Sequence, residues 1–274
     1  MRIEVSGCTD VGLRREGNED SFYCSSEEGL AVVADGMGGH SCGEVASAMA
    51  VKVIRDEVLE RLKSLTQTED GSVRGSDVLG AVLCESIRVA NGLISSRSGN
   101  QDNKAARMGT TVVSLLFQSG KCAIAHVGDS RIYMLRGDRV YILTQDHSLV
   151  NEQLRANLIS IEEARTSAYR HIVTRALGMR EEVEVEVQEL VVRPGDMVLL
   201  CSDGLFDMTD ENDIRDILYQ FSDDLGVTTR KLIELANSRG GEDNITVVVA
   251  KMVGEEGDFE KIEDAEATRS YPVD

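Results

Sequence analysis

The chain has 274 residues, 48 acidic against 29 basic side chains, and a formal net charge of −19. Hydrophobic residues make up 42% of it, enough for a packed core, so global disorder is excluded and one large α+β domain fits the length. The acidity excludes a general nucleic-acid binder, which needs a basic footprint, and docking on an anionic membrane surface.

In chain order, residues 3–9 and 30–35 read as strands, the first alternating and the second a buried run, with a polar loop from Asp10 to Asp20 between them. A glycine-rich turn, GMGGHSCG, follows. Residues 43–63 predict a helix on the stripe Val45, Met49, Val53, Ile54, Val58 and Leu62. A polar loop leads to a second helix from Ser76 or Asp77 to about Ser96, with Val78, Val82, Ile87, Ala90 and Ile94 on its apolar side. The block 110–144 changes rhythm. Short apolar runs separated by two-residue turns such as Ser119-Gly120 and Gly137-Asp138 read as a meander of antiparallel hairpins.

Residues 148–177 are polar and read as mostly helical, an insertion over one edge. Strands resume at 183–190 and 197–203 around a Pro194-Gly195 turn. Helices follow at about 210–220 and 227–238, then a last strand at 245–252. Two strand blocks and two helix pairs predict two sheets packed face to face with helices outside. Residues 254–274 hold eight acids against two basic residues and read as a solvated, flexible tail.

None of Cys8, Cys24, Cys42, Cys84, Cys122 and Cys201 forms a C-x-x-C pair, and several lie in apolar runs. Reduced, buried thiols are the expectation. The start MRIEVSG shows no apolar signal segment, and the apolar runs fall far short of the ~20 residues that cross a bilayer. A cytoplasmic protein off the membrane is expected.

Acids recur at strand ends. Asp35 closes LAVVA, Asp129 follows CAIAHVG, and Asp203 follows MVLLCS; Asp243 precedes ITVVVA, and Asn18-Glu19-Asp20 precedes SFYC. Any one such acid is ordinarily a turn former or helix cap. Five sites together make a cluster of charge that needs a neutralising partner. Hard divalent cations such as Mg²⁺ or Mn²⁺ take oxygen ligands of this kind, and a glycine after Asp35 lets the backbone carbonyl approach as well. The four histidines show no zinc spacing.

Eight segments carry a family resemblance: TDVGLRREGNEDS (9–21), VVADGMGGHSCGEVAS (32–47), MGTTVV (108–113), HVGDSRIY (126–133), LTQDHSLV (143–150), TRALG (174–178), GDMVLLCSDGL (195–205) and EDNITVVV (242–249). In this order they resemble the metal-dependent type 2C protein serine/threonine phosphatases in their bacterial form. The resemblance spans nearly all of residues 3–252. It implies a four-layer αββα sandwich, two antiparallel sheets flanked by helices, as a catalytic domain over 1–253 with a flap at about 148–177.

It also implies a centre of two Mn²⁺ or Mg²⁺ ions. Asp35 matches the bridging aspartate, the Gly36 carbonyl a ligand of one ion, and Asp203 and Asp243 ligands of the other. Glu19 and Asp20 match acids that hold the metals directly or through water, and Asp129 with Asp203 matches the site of a third, weaker ion. Arg15 matches the phosphate-binding arginine, with Arg14 the neighbour that one residue of slippage would exchange for it. Asp35 and Arg15 are thus the expected catalytic pair. The implied reaction is attack on phosphorus by a metal-bridging hydroxide, without a phosphoenzyme. Phosphoproteins and a serine/threonine kinase are the implied partners, and a monomer is expected.

One position departs from eukaryotic members, which carry a histidine after the Asp-Gly; here it is Met37. His40 reads as a loop or capping residue. Three rivals stand beside this reading. Gly39-His40-Ser41-Cys42-Gly43 matches G-x-S-x-G, but six residues separate Ser41 from the strand end at Asp35, so a nucleophile elbow does not fit. Gly36-x-Gly38-x-x-Ser41 nearly matches a dinucleotide fingerprint, and Asp35 before it would repel a pyrophosphate. The last rival is a catalytically inactive, phosphatase-like binding module, which loses metal ligands; Asp20, Asp35, Asp203 and Asp243 are all present.

Overall fold

The computed structural model describes residues 1–38, 42–66, 77–99 and 108–254. His40, Ser41, the N-cap candidate Ser76 and the tail from residue 255 lie outside the described residues.

The first half runs β1 (Arg2–Asp10), β2 (Asp20–Ser25), β3 (Leu30–Met37), α1 (Cys42–Thr66), α2 (Asp77–Gly99), β4 (Gly109–Thr110), β5 (Val112–Gln118), β6 (Lys121–Val127), β7 (Arg131–Arg136) and β8 (Arg139–Ile142). The second half runs α3 (Leu149–Arg155), α4 (Ile161–Thr166), β9 (Glu186–Leu190), β10 (Met197–Cys201), α5 (Asp203–Phe206), α6 (Glu211–Gln220), α7 (Leu225–Ser238) and β11 (Ile245–Val253). One sheet has the order β1-β11-β10-β7-β8; the other has β2-β3-β5-β6-β9, with β4 on β3. The strand pairings are antiparallel.

The layers follow from period-two alternation on strands covered on both faces. In β3, Leu30, Val32 and Ala34 join the core under α1 and α2, while Ala31 and Val33 face the other sheet. In β10, Val198 and Leu200 face inward, while Met197, Leu199 and Cys201 pack with α6 and α7 through Ile214, Leu218, Leu232 and Ile233. Three apolar layers thus lie between four structural ones, the expected αββα sandwich. Each fully buried Leu, Ile or Val contributes roughly 1.5–3 kcal/mol. The apolar length of α2 is used inside the fold, where Leu79, Leu83, Ile87, Ala90 and Ile94 are buried.

Several boundaries shift from the sequence reading. The stripe of α1 centres on Ala46, Ala50, Ile54 and Val58, and Val45 is exposed. Strand β2 is an addition: its side chains after Asp20 are only partly buried, so no clear alternation marks it. The segment 148–177 is less helical than expected, holding only α3 and α4 among turns. Neither of these short helices has a periodic apolar face to announce its length; both start on serine caps, Ser148 and Ser160. The strand expected at 183–190 pairs only from Glu186.

Antiparallel connectivity gathers the acids. The start of β2 and the end of β3 lie together, as do the end of β10 and the start of β11. β6 runs the same way as β3, because β5 opposes both. Acids at opposite sequence ends of these strands therefore share one end of the sandwich.

Candidate metal centre

A cleft of about 570 Å³ opens at that end, lined by Arg15, Glu19, Asp35, Asp129, Asp203 and Asp243 among others. Asp20 is buried just beneath, directly opposite Asp35 in the β2–β3 register. All six expected carboxylates and the expected arginine are therefore brought to one place. Arg15, rather than Arg14, lines the cleft; its Nη2 donates to Asp243 Oδ2 at 2.6 Å.

The backbone holds these groups closely. The Asp35 N–H donates to Thr111 Oγ1 at 3.1 Å, and the Asp35 carbonyl accepts from Thr111 N–H at 2.9 Å and Thr110 Oγ1 at 2.8 Å. Gly36 N–H donates to the Glu19 carbonyl at 3.1 Å. A Cβ on Gly36 would sit 2.2 Å from the Gly43 carbonyl oxygen, so only glycine lets β3 pass the start of α1 here. Ser202 Oγ donates to Asp20 Oδ2 at 2.7 Å. Asp203 opens α5, with Ser202 alone between it and the end of β10.

The electrostatics are those of a cluster lacking countercharge. Burial, then Asp243, pushes the Asp20 carboxyl up to about 6. Burial, then Asp146, pushes Asp129 up to about 7. Asp35 is raised well above the carboxylate range by burial and then by Asp20, Asp203, Asp129 and Asp243. Asp203 is raised likewise by burial, Asp129 and Asp243. Burial also raises Glu19, although Arg15 opposes this. Burial works against the Arg15 cation, but Asp243, Glu19 and Asp203 together outweigh it and raise its pKa. One half-exposed arginine does not balance six carboxylates. The donor set is all oxygen, and mutual repulsion makes it avid for cations, so it fits hard divalent ions.

A family model described as Protein phosphatase 2C matches residues 14–235. The chain belongs to the protein phosphatase 2C family. It is 38% identical over 246 residues to the serine/threonine phosphatase Stp of Listeria welshimeri, covering 89% of this chain and 93% of the relative. The solved serine/threonine phosphatase of S. agalactiae superposes with a TM-score of 0.79 at 34% identity, covering 92% of this chain and all of that one. The catalytic domain of the serine/threonine protein phosphatase PstP, solved in complex with two manganese ions, superposes with a TM-score of 0.73 at 35% identity, covering 92% and 99%.

In this phosphatase, Met37 lines the cleft at the position discussed above. The structure adds residues that the sequence reading did not single out. Asn244 clamps the loop bearing Arg15 and Glu19: its Oδ1 accepts from Glu19 N–H at 2.8 Å, and its Nδ2 donates to the Val11 and Gly17 carbonyls at 3.0 and 2.9 Å. Its place directly after Asp243 was the available signal. Thr111 fixes Asp35 from 76 residues away; it lies in the segment MGTTVV, but nothing local indicates that role. His171, from the segment 148–177, also lines the cleft, with Nδ1 3.5 Å from Asp207 Oδ2. Its ligand atoms and those of Asp203 and Asp207 lie within 4.8 Å of one another, so the acidic cluster extends toward that segment.

Proposed function

We propose that this phosphatase hydrolyses phosphoserine and phosphothreonine in proteins, using the cleft at the end of the sandwich. Asp35, the Gly36 carbonyl, Glu19, Asp20, Asp203 and Asp243 would hold two Mn²⁺ or Mg²⁺ ions, and Asp129 with Asp203 a third. Bound there, such ions activate water as a nucleophile near neutral pH and neutralise phosphoryl charge. The observation that carries this reading is the convergence of six buried or half-buried carboxylates at one cleft around one arginine, where burial and mutual repulsion raise the pKa of Asp20, Asp35, Asp129 and Asp203.

The chain's own groups do the positioning. Arg15 offers a planar fork of donors that matches phosphate oxygens, and its half-exposed guanidinium can exchange Asp243 for the incoming phosphoryl group. Asp20 stays anchored by Ser202 beneath Asp35, and Asn244 holds Glu19 and the Arg15 loop in register. Met37 offers no proton, so we assign water as the proton source for the leaving alcohol. The inactive-module reading is not favoured, because the full carboxylate set converges on one cleft.

The reading extends to the catalytic domain over 1–253 with its flap at 148–177, to an opposing serine/threonine kinase, and to a cytoplasmic monomer. Support for a reducing compartment comes from the six cysteines, all free, with Cys122 and Cys201 buried. The test is hydrolysis of para-nitrophenyl phosphate and a phosphothreonine peptide by metal-stripped protein with and without Mn²⁺, beside Asp35→Ala. Mn²⁺-dependent release of phosphate by the wild type alone is expected. Activity that persists in excess EDTA, or survives in Asp35→Ala, would contradict the assignment.

A further inference from the structure

One buried histidine grips the turn that carries Asp129. Gly128 follows β6 with φ +109°, in a slot where a Cβ would lie 2.6 Å from Thr111 Cβ. His147 holds this glycine twice. Its backbone N–H donates to the Gly128 carbonyl at 2.9 Å, and the Gly128 N–H donates to the ring Nδ1 at 3.0 Å. An amide N–H can only donate, so Nδ1 is the bare nitrogen and the ring proton sits on Nε2. That proton is directed to Glu186 Oε1 at 2.9 Å on β9. Arg175 braces the same carboxylate, with Nη1 3.5 Å from Oε1; Nη1 also lies 3.2 Å from His147 Nε2, but with Nδ1 taken as the acceptor these are two donors, and the carboxylate receives both protons. His126 stacks on the ring at 4.9 Å between centroids, and its own Nε2 meets the Gln145 carbonyl at 3.0 Å.

The ligand atoms of His126, His147 and Glu186 lie within 4.8 Å of one another, which is also the spacing of a metal site. The hydrogen bonds decide against that: a carbonyl can only accept, so His126 Nε2 carries a proton, and the Gly128 bond puts one on His147 Nε2. Both nitrogens are committed as donors. Burial lowers the pKa of both rings, in keeping with neutral imidazoles.

The neighbouring atoms complete a bracket around Asp129. Ser130 Oγ lies 2.7 Å from Thr111 Oγ1. Asp146 accepts from Arg131 Nε at 3.0 Å and Nη2 at 2.7 Å. Asp129 is thus held through the residues before and after it. His147 also closes the base of the segment 148–174: its carbonyl accepts from Thr174 N–H at 2.8 Å, and Leu149 N–H donates to the Ile172 carbonyl at 2.9 Å.

We infer that His147 is a positioning residue for Asp129, its Nε2–H tautomer setting the Gly128–Asp129 turn toward the cleft and tying that turn to the base of the flap. This rests on the proposed role of Asp129 as an ion ligand. Partners one step behind a metal ligand typically change metal affinity by about 10- to 100-fold when removed.

The experiment is calorimetric titration of Mn²⁺ into EDTA-stripped, dialysed protein, with circular dichroism and melting temperature as folding controls. Four variants are compared: Asp129→Ala, His147→Leu, His147→Asn and His147→Gln. Asparagine places an acceptor oxygen near the position of Nδ1; glutamine places its amide near Nε2. Asp129→Ala and His147→Leu are expected to weaken the same Mn²⁺-binding step, the latter about tenfold. His147→Asn is expected to stay within about threefold of wild type, and His147→Gln to resemble the leucine variant. If His147→Leu does not fold, the Asn–Gln contrast carries the test. Equal Mn²⁺ binding in Asn and Gln variants, or wild-type binding in His147→Leu, would overturn the inference while Asp129→Ala still reports on the ligand assignment. Unchanged binding in Asp129→Ala would overturn that assignment and this inference with it.

Discussion

Replacing Asp129 by asparagine should stabilise the metal-free phosphatase at alkaline pH while weakening its hold on metal. The Asp129 carboxyl is 8% exposed and is raised from 3.8 to about 7, by burial first and then by Asp146. At roughly 1.4 kcal/mol per tenfold change, ionising it in the folded chain costs about 4 kcal/mol. The folded chain binds this proton more tightly than the unfolded chain does. Its stabilising contribution is complete below the unfolded value of 3.8 and lost as pH rises through about 7. Between pH 5 and pH 8, wild type should therefore lose about 2–3 kcal/mol that Asp129→Asn does not lose. For a domain of this size that corresponds to about 5–10 °C in melting temperature. The assay is thermal unfolding of both proteins in EDTA at the two pH values. The variant's advantage should widen from pH 5 to pH 8. A gap that stays constant, or a variant less stable than wild type at pH 8, would refute the electrostatic account of this cluster.

Other substitutions separate the roles of neighbouring groups. Arg15→Ala should raise KM for para-nitrophenyl phosphate about 10- to 100-fold, the worth of one or two charged hydrogen bonds, and Arg15→Lys should recover part of it. Steady-state kinetics at saturating Mn²⁺ measure this. Asn244→Ala leaves the Glu19 amide and the Val11 and Gly17 carbonyls without their partner, so a urea melt should show a loss of about 1–3 kcal/mol, with a raised Mn²⁺ requirement in the activity assay. Gly36→Ala drives a Cβ to 2.2 Å from the Gly43 carbonyl, a backbone atom that cannot rotate away, so Mn²⁺ binding by calorimetry should be lost even if the chain still folds. Chelators should abolish turnover while okadaic-acid-type inhibitors leave it unchanged, as read by phosphate release.

The carboxylates were legible because charge at the end of an apolar run is conspicuous. Asp35 follows five fully buried residues, Leu30 to Ala34, near the end of β3, and no packing reason places an acid there. The sandwich was legible in its turns, since two-residue hairpin loops fix antiparallel neighbours without long-range information. What stayed hidden depends on chain segments meeting in space. Thr111, in the one-residue break between β4 and β5, is an ordinary threonine until folding sets its hydroxyl against the Asp35 amide. His147 belonged to a quoted motif, LTQDHSLV, but its role needs the Gly128 amide 19 residues away. Which of Arg14 and Arg15 enters the cleft depended on the exact course of the loop that Asn244 pins. The polar composition of the segment 148–177 tolerates helix throughout, whereas its actual form is set by serine caps and by backbone bonds at its base.

The most direct test of the central claim is anomalous scattering from crystals of the full chain grown with Mn²⁺. Two strong peaks are predicted within bonding distance of Asp35, one also bonded to the Gly36 carbonyl and the other to Asp203 and Asp243. A cleft without manganese at saturating concentration, or peaks bonded to other side chains, would contradict the account.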